Sequence, residues 1–179
     1  MLYYYNELLK SGLTRYEIEK QLKLKQIYKV TNGIYSNEIE PHELEVILKK
    51  FPNTVVTLNS AFFHYGLTDK IPDFYYLATK RDENKIEFVE VKQIFMKKEY
   101  LKVGVTITNI ENIKVPIYDK ERMLIELMRY RTKLSYELYK EVINNYRKIK
   151  EDLDFIKLYK YAKIFNKPFI METIEKEII

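Results

Sequence analysis

Asp73, preceded by Pro72, and the triplet Glu90-Val91-Lys92 have the one spacing in this chain that could organise hydrolytic chemistry. Two carboxylates so placed can hold Mg²⁺, and a lysine two residues past the second can orient the attacking water. On a strand, Glu90 and Lys92 would point to the same face, as that chemistry requires. The same residues also read as ordinary charges on a solvent-facing strand edge, because Glu-x-Lys arises readily in a chain that is 32% charged. His42 and His64 have no carboxylate motif beside them, so neither is expected to ligate a metal or act as a general base. Four glycines are too few for a phosphate-cradling loop or a dinucleotide fingerprint, and the absence of cysteine removes thiolate metal sites and a thiol nucleophile. Neither G-x-S-x-G nor H-E-x-x-H occurs. The expectation is no catalytic residue, no metal and no cofactor.

A second set of residues suits binding rather than catalysis. From Lys10 to Lys29 there are six basic residues against Glu17 and Glu19, within a chain of net charge +5 and pI near 9.0. Thr14, Arg15, Tyr16, Lys20, Lys23, Lys25 and Lys29 are the candidate DNA-contacting residues. Arg15, Tyr16 and Lys20 would face a major groove, and Lys23, Lys25 and Lys29 would hold phosphates. The competing reading is a solvated, lysine-rich helix face.

The elements that must carry this set are legible around it. Gly12 ends a first helix running from about Tyr3, since glycine takes the left-handed conformation without steric cost. Thr14-Arg15-Tyr16-Glu17 is a capping box that opens a second helix, with Ile18 and Leu22 on its buried side. Asn32-Gly33, between Ile27–Thr31 and Ile34–Ser36, predicts a type I′ hairpin. Helix, turn, helix and hairpin is the order of a winged helix; a small α+β module docked on the remainder of the chain is the alternative.

Beyond the hairpin, Pro41 is expected to start a helix reaching Lys50, followed by a short strand at Thr54–Leu58 and a helix capped by Asn59 or Ser60 that stops at Gly66. Strands are expected at Phe74–Thr79, Glu87–Ile94, Gly104–Ile110 and Ile113–Ile117, the last two forming a hairpin through Asn109–Asn112. Helices opened by Asp119, Ser135, Asp152 and Pro168 complete the chain. Arg122 and Glu126, four apart, read as a helix-surface ion pair. Tyr136, Tyr139, Tyr146, Tyr159 and Tyr161 on these helices suggest a protein-binding surface. The fold class is α+β: an N-terminal winged helix-turn-helix over 1–40, a connecting helix over 41–52, and over 53–179 a mixed β-sheet domain ending in a run of α-helices. No signal peptide pattern and no span of about 18 apolar residues is present, so a cytoplasmic protein without membrane contact is expected.

Taken together these segments resemble the AbiEi family of antitoxins, from type IV toxin–antitoxin (abortive infection) systems. Gly12-Leu13-Thr14-Arg15 with Gly33-Ile34-Tyr35 is similar to that family's turn, recognition helix and wing. Leu58-Asn59-Ser60-Ala61 with His64-Tyr65-Gly66-Leu67-Thr68 resembles its S-A…H-G-L-T segment, and Pro72 with Tyr76-Leu77-Ala78 the strand after it. Gly104 to Ile110, Val115 and Asp119-Lys120-Glu121-Arg122 resemble the strands leading to its D-x-E-R helix, and Asp154 with Leu158 to Ala162 a later helix. The resemblance spans essentially the whole chain. It implies an N-terminal winged helix that binds operator DNA as an autorepressor, and a C-terminal domain that counteracts a nucleotidyltransferase toxin without catalysis and without needing a stable complex. Two departures stand out: the winged module starts at the family's second helix, and R-T-L…D reads Arg122-Met123-Leu124…Glu126. A shortened module that no longer reads DNA and acts only through proteins is therefore the main alternative, and a PD-(D/E)xK-like Mg²⁺ nuclease the minor one.

Overall fold

Short-range capping and turn signals delimit most helices, while strand pairing over long sequence separations decides the sheets. The computed structural model describes residues 1–179, apart from the side chain of Pro168. The chain divides into two compact units, Met1–Asn53 and Thr54–Ile179.

The first unit runs β1 (Leu2–Tyr4), α1 (Tyr5–Lys10), α2 (Arg15–Lys23), β2 (Tyr28–Thr31), β3 (Ile34–Ser36) and α3 (Glu43–Lys50). Its antiparallel sheet has the order β1-β3-β2. Leu8 of α1, Ile18 of α2 and Ile27 ahead of β2 form its core, with Leu13, Leu22 and Tyr35 packed around them. Burying side chains of this size stabilises the unit by about 1.5–3 kcal/mol each. The helix expected from Tyr3 begins instead at Tyr5, because Leu2–Tyr4 pairs with β3. Three residues carry too little alternation to announce a strand. Gly12 has φ +97° and closes the turn after α1 as expected.

The expected type I′ turn at Asn32-Gly33 is not formed. That turn needs positive φ at both central residues, and only Gly33, at +80°, has it. A bulge between Lys29 and Thr31 lets the strands pair around the different turn. The type I′ signature falls elsewhere, at Glu111 (φ 48°) and Asn112 (φ 67°). The helix expected from Pro41 begins at Glu43, where the His42 ring Nδ1 accepts from the Leu44 N–H at 3.2 Å.

The second unit contains β4 (Val55–Val56), α4 (Leu58–His64), β5 (Tyr75–Lys80), β6 (Val91–Met96), α5 (Lys98–Leu101), β7 (Val105–Ile110) and β8 (Ile113–Tyr118). Four helices follow: α6 (Lys120–Tyr130), α7 (Tyr136–Lys148), α8 (Phe155–Phe165) and α9 (Pro168–Glu177). The sheet order is β6-β5-β4-β8-β7; β5 with β6 and β4 with β8 are parallel, the other pairs antiparallel. The protein is thus α+β with a mixed sheet and a helical C-terminal run. Among the described residues no helix is long and apolar enough to cross a membrane.

Several boundaries differ from expectation. The strand expected to reach Leu58 stops at Val56, and Leu58 starts α4 with φ 42°. Ser60 does not cap α4; its hydroxyl donates to the Phe74 carbonyl at 3.1 Å and accepts from the Tyr76 N–H at 2.9 Å, tying α4 to β5. Glu87–Glu90 lies outside β6, because the Val91 N–H turns back to the Phe88 carbonyl at 3.1 Å. Val89 is accordingly 83% exposed, so the alternation around it marks no buried face. The β7–β8 loop is only Glu111-Asn112. Asp119 and Ser135 cap α6 and α7 as expected, whereas α8 is capped by Asp154, since Lys150–Asp152 forms a 3-10 turn.

The largest correction concerns Arg122 and Glu126. Both are fully buried rather than on a helix surface. Arg122 donates through Nε and Nη2 to Glu126 Oε1 at 2.9 and 2.7 Å, and through Nη1 to the Tyr100 and Val103 carbonyls. Its guanidinium carbon lies 4.3 Å from the ring centres of both Tyr118 and Phe165. Spacing alone cannot distinguish an exposed pair from one covered by α8 and the chain around Tyr100.

Candidate nucleic-acid interface

Two hydrogen bonds fix where the basic helix starts. Thr14 Oγ1 accepts from the Glu17 N–H at 3.2 Å, and the Thr14 N–H donates to Glu17 Oε2 at 2.7 Å. The Thr14 hydroxyl also donates to that carboxylate at 2.7 Å, so both of its hydrogen-bonding roles serve the cap. These bonds from Thr14 hold the Glu17 carboxyl below its usual range and keep it ionised.

With the start of α2 pinned and Ile18 buried, the opposite stripe must face water. Tyr16, Lys20 and Lys23 recur at helical spacing and all are exposed, Tyr16 by 74%. Arg15 is exposed one residue into the helix, and Glu19 is the acidic residue on this side. Lys25 lies just past α2 with φ 56°, a left-handed conformation that is easy for glycine and strained for lysine. Lys29 is the exposed member of β2. Among the described residues, Arg15, Lys20, Lys23, Lys25 and Lys29 form no ion pair with a carboxylate. Five cations without an ion-pair partner therefore stand on one helix, its exit and the adjoining strand, with Lys20 near enough to Glu17 to help hold its carboxyl ionised. That arrangement can hold a polyanion, and it supplies no group for bond chemistry.

Of the hydrolytic candidates in the second unit, Asp73 and Lys92 both line a cleft of about 650 Å³, and the carbonyl of Glu90, in the turn ahead of β6, accepts from the Tyr75 N–H at 2.7 Å. Among the described residues no cluster of three or more His, Cys, Asp or Glu side chains could hold a metal ion. His64 Nε2 lies 3.2 Å from Thr108 Oγ1, and burial lowers its pKa below 6.5.

The same cleft gathers residues whose convergence has no signal in the sequence. Lys70 and Lys133 join Lys92 in its lining, together with Asn59, whose Oδ1 is buried without a partner. These positions converge only through the tertiary fold. No family model matches this chain, and no curated protein matches it.

Proposed function

We propose that the first unit is a winged helix that binds operator DNA, and that the chain is an AbiEi-like antitoxin acting as its own transcriptional repressor. The observation that carries the DNA reading is the set of five exposed, unpaired cations on α2, its exit and β2. The β1-β3-β2 sheet with α1 and α2 between its first two strands in sequence supports it, because the winged helix orders its elements this way. In this reading Arg15, Tyr16 and Lys20 enter the major groove. Lys23, Lys25 and Lys29 grip phosphates, and the exposed Asn32-Gly33 tip forms the wing. Thr14 contributes by fixing the start of the helix. A lysine kept in the left-handed position after α2 also favours a role for that side chain, since glycine would relieve the strain.

The second unit, in the same reading, counteracts a nucleotidyltransferase toxin and performs no catalysis. The order of motifs across the chain supports this part. The direct test of the DNA reading is an electrophoretic shift on the DNA upstream of the chain's own reading frame, at two salt concentrations. Three phosphate contacts, from Lys23, Lys25 and Lys29, give a slope of about −2.7 in log affinity against log salt. Lack of any shift at low salt overturns the reading.

A protein-only role is the second reading, favoured by exposed side chains on the C-terminal helices. Tyr136 is 75% exposed and Ile156 84% exposed. Rescue from the toxin by a chain that gives no shift on its upstream DNA even at low salt would support this reading, whereas repression lost with Arg15→Ala and Lys20→Ala would count against it.

A further inference from the structure

β6 is an edge strand, paired with β5 on one side only. The Glu90 and Met96 carbonyls accept from the Tyr75 and Arg81 N–H groups, so both face β5. Polar groups alternate in direction along a strand, which turns Lys92 and Ile94 toward β5 as well. Gln93 and Phe95 therefore aim their N–H and C=O groups away from the sheet, and no other strand meets them.

The 650 Å³ cleft runs along this edge. Lys92, Gln93, Ile94 and Phe95, four consecutive residues, all line it. A cleft over one face of a sheet would meet alternate residues, whereas a cleft along an edge meets every residue. Its charge is predominantly positive: Lys70, Lys92 and Lys133 face one acid, Asp73, and among the described residues none of the three forms an ion pair. The buried Asn59 Oδ1 adds an acceptor that lacks a donor. Phe95, 45% exposed, offers apolar area at the rim.

We infer that β6 is a docking edge for an extended, acidic segment of a partner protein, added as a further strand alongside Gln93 and Phe95. Main-chain hydrogen bonds to these two residues supply pairing, and the three lysines select for carboxylates. A second copy of this chain is disfavoured as occupant, since it would bring the same lysines against themselves. The inference concerns the second unit and stands or falls independently of DNA binding by the first.

The test uses the full chain and a fluorescently labelled, capped peptide of alternating valine and glutamate, followed by anisotropy. Saturable binding is expected. N-methylation of the peptide's alternate residues, which removes its donors and leaves the protein untouched, should abolish it. Lys92→Glu with Lys133→Glu should weaken binding at least about tenfold. Phe95→Pro, which removes one outward N–H without breaking a bond to β5, should do the same while circular dichroism stays unchanged. Absence of saturable binding overturns the inference. So does binding that ignores N-methylation, which would mean charge adsorption alone. Preferential binding of a single-stranded oligonucleotide, with the same sensitivity to lysine reversal, would assign the cleft to nucleic acid instead. Concentration-dependent dimerisation removed by Phe95→Pro would assign it to a second copy.

Discussion

Arg122 Nη2 and Glu126 Oε1 meet at 2.7 Å with neither side chain exposed to solvent. Arg129 Nη1 reaches the same oxygen, so two guanidiniums share one carboxylate oxygen while Glu126 Oε2 stays buried without a partner. The carboxylate is thus the hub of the packing between α6, α8 and the chain around Tyr100. Glu126→Ala should lower the unfolding free energy by about 3–5 kcal/mol in urea, because it strands a buried cation. Arg122→Met with Glu126→Leu and Arg129→Met should lose far less, since it removes all three charges. Equal losses for the single and triple variants would mean that packing, not charge pairing, sets the cost.

Gly104 lies beside this hub. A Cβ there would sit 2.6 Å from the Cβ of Arg122, and the residue has φ +72°. Gly104→Ala should therefore destabilise the protein by about 1–3 kcal/mol, combining backbone strain with a clash that no rotamer of Arg122 relieves. Gly12→Ala meets nothing within 4 Å and bears only the positive φ, so its loss should be smaller. The comparison, made by urea midpoints, separates contact from conformation.

In the proposed DNA reading, Lys25 sets stability against binding. Lys25→Gly should raise stability by up to about 1 kcal/mol, by relieving its left-handed strain. The same change should weaken the DNA complex and reduce the magnitude of the salt slope by about 0.9, the share of one phosphate contact. Stabilisation with unchanged DNA affinity would remove Lys25 from the interface.

His64 gives the fold a mild acid sensitivity. Burial holds its folded-state pKa below 6.5, so between the two values the unfolded chain binds the extra proton. Stability should be intact above pH 6.5 and decline as pH falls through that value toward the folded-state pKa. Thermal midpoints at about pH 7.5 and about pH 5.5 should differ more in the wild-type protein than in His64→Gln. An equal difference in both would assign the sensitivity to other groups.

Features set by a few neighbouring residues could be read directly from the sequence. The Thr14–Glu17 capping box, the Gly12 turn and the Asp119 and Ser135 caps each involve groups within one helical turn. Features set by distant partners could not. Leu2–Tyr4 becomes a strand because β3 lies beside it, and Arg122 is buried because Tyr118, Phe165 and the chain around Tyr100 enclose it. The two hairpins make the same point: Asn32-Gly33 had the residues for a type I′ turn, but Glu111-Asn112 adopts those angles between longer strands. Of the two sites, the basic stripe on α2 follows from helical spacing. The cleft does not, because Asn59, Lys70, Lys92 and Lys133 belong to separate segments.

β1 has a kinetic consequence. Its partner β3 lies beyond both helices and β2, with Leu2 opposite Ser36, whereas α1, α2 and the β2–β3 hairpin are built from near neighbours. Such local parts form quickly, and the distant strand must wait for them. Tyr4 also gives its hydroxyl to the Lys49 carbonyl, and Lys49 Nζ meets Glu7 Oε2 at 2.7 Å. The three-residue strand is thus the last piece to arrive and the latch that joins α3 to the rest. In native-state hydrogen exchange, amides in β1 and α3 should open together, ahead of those in α2.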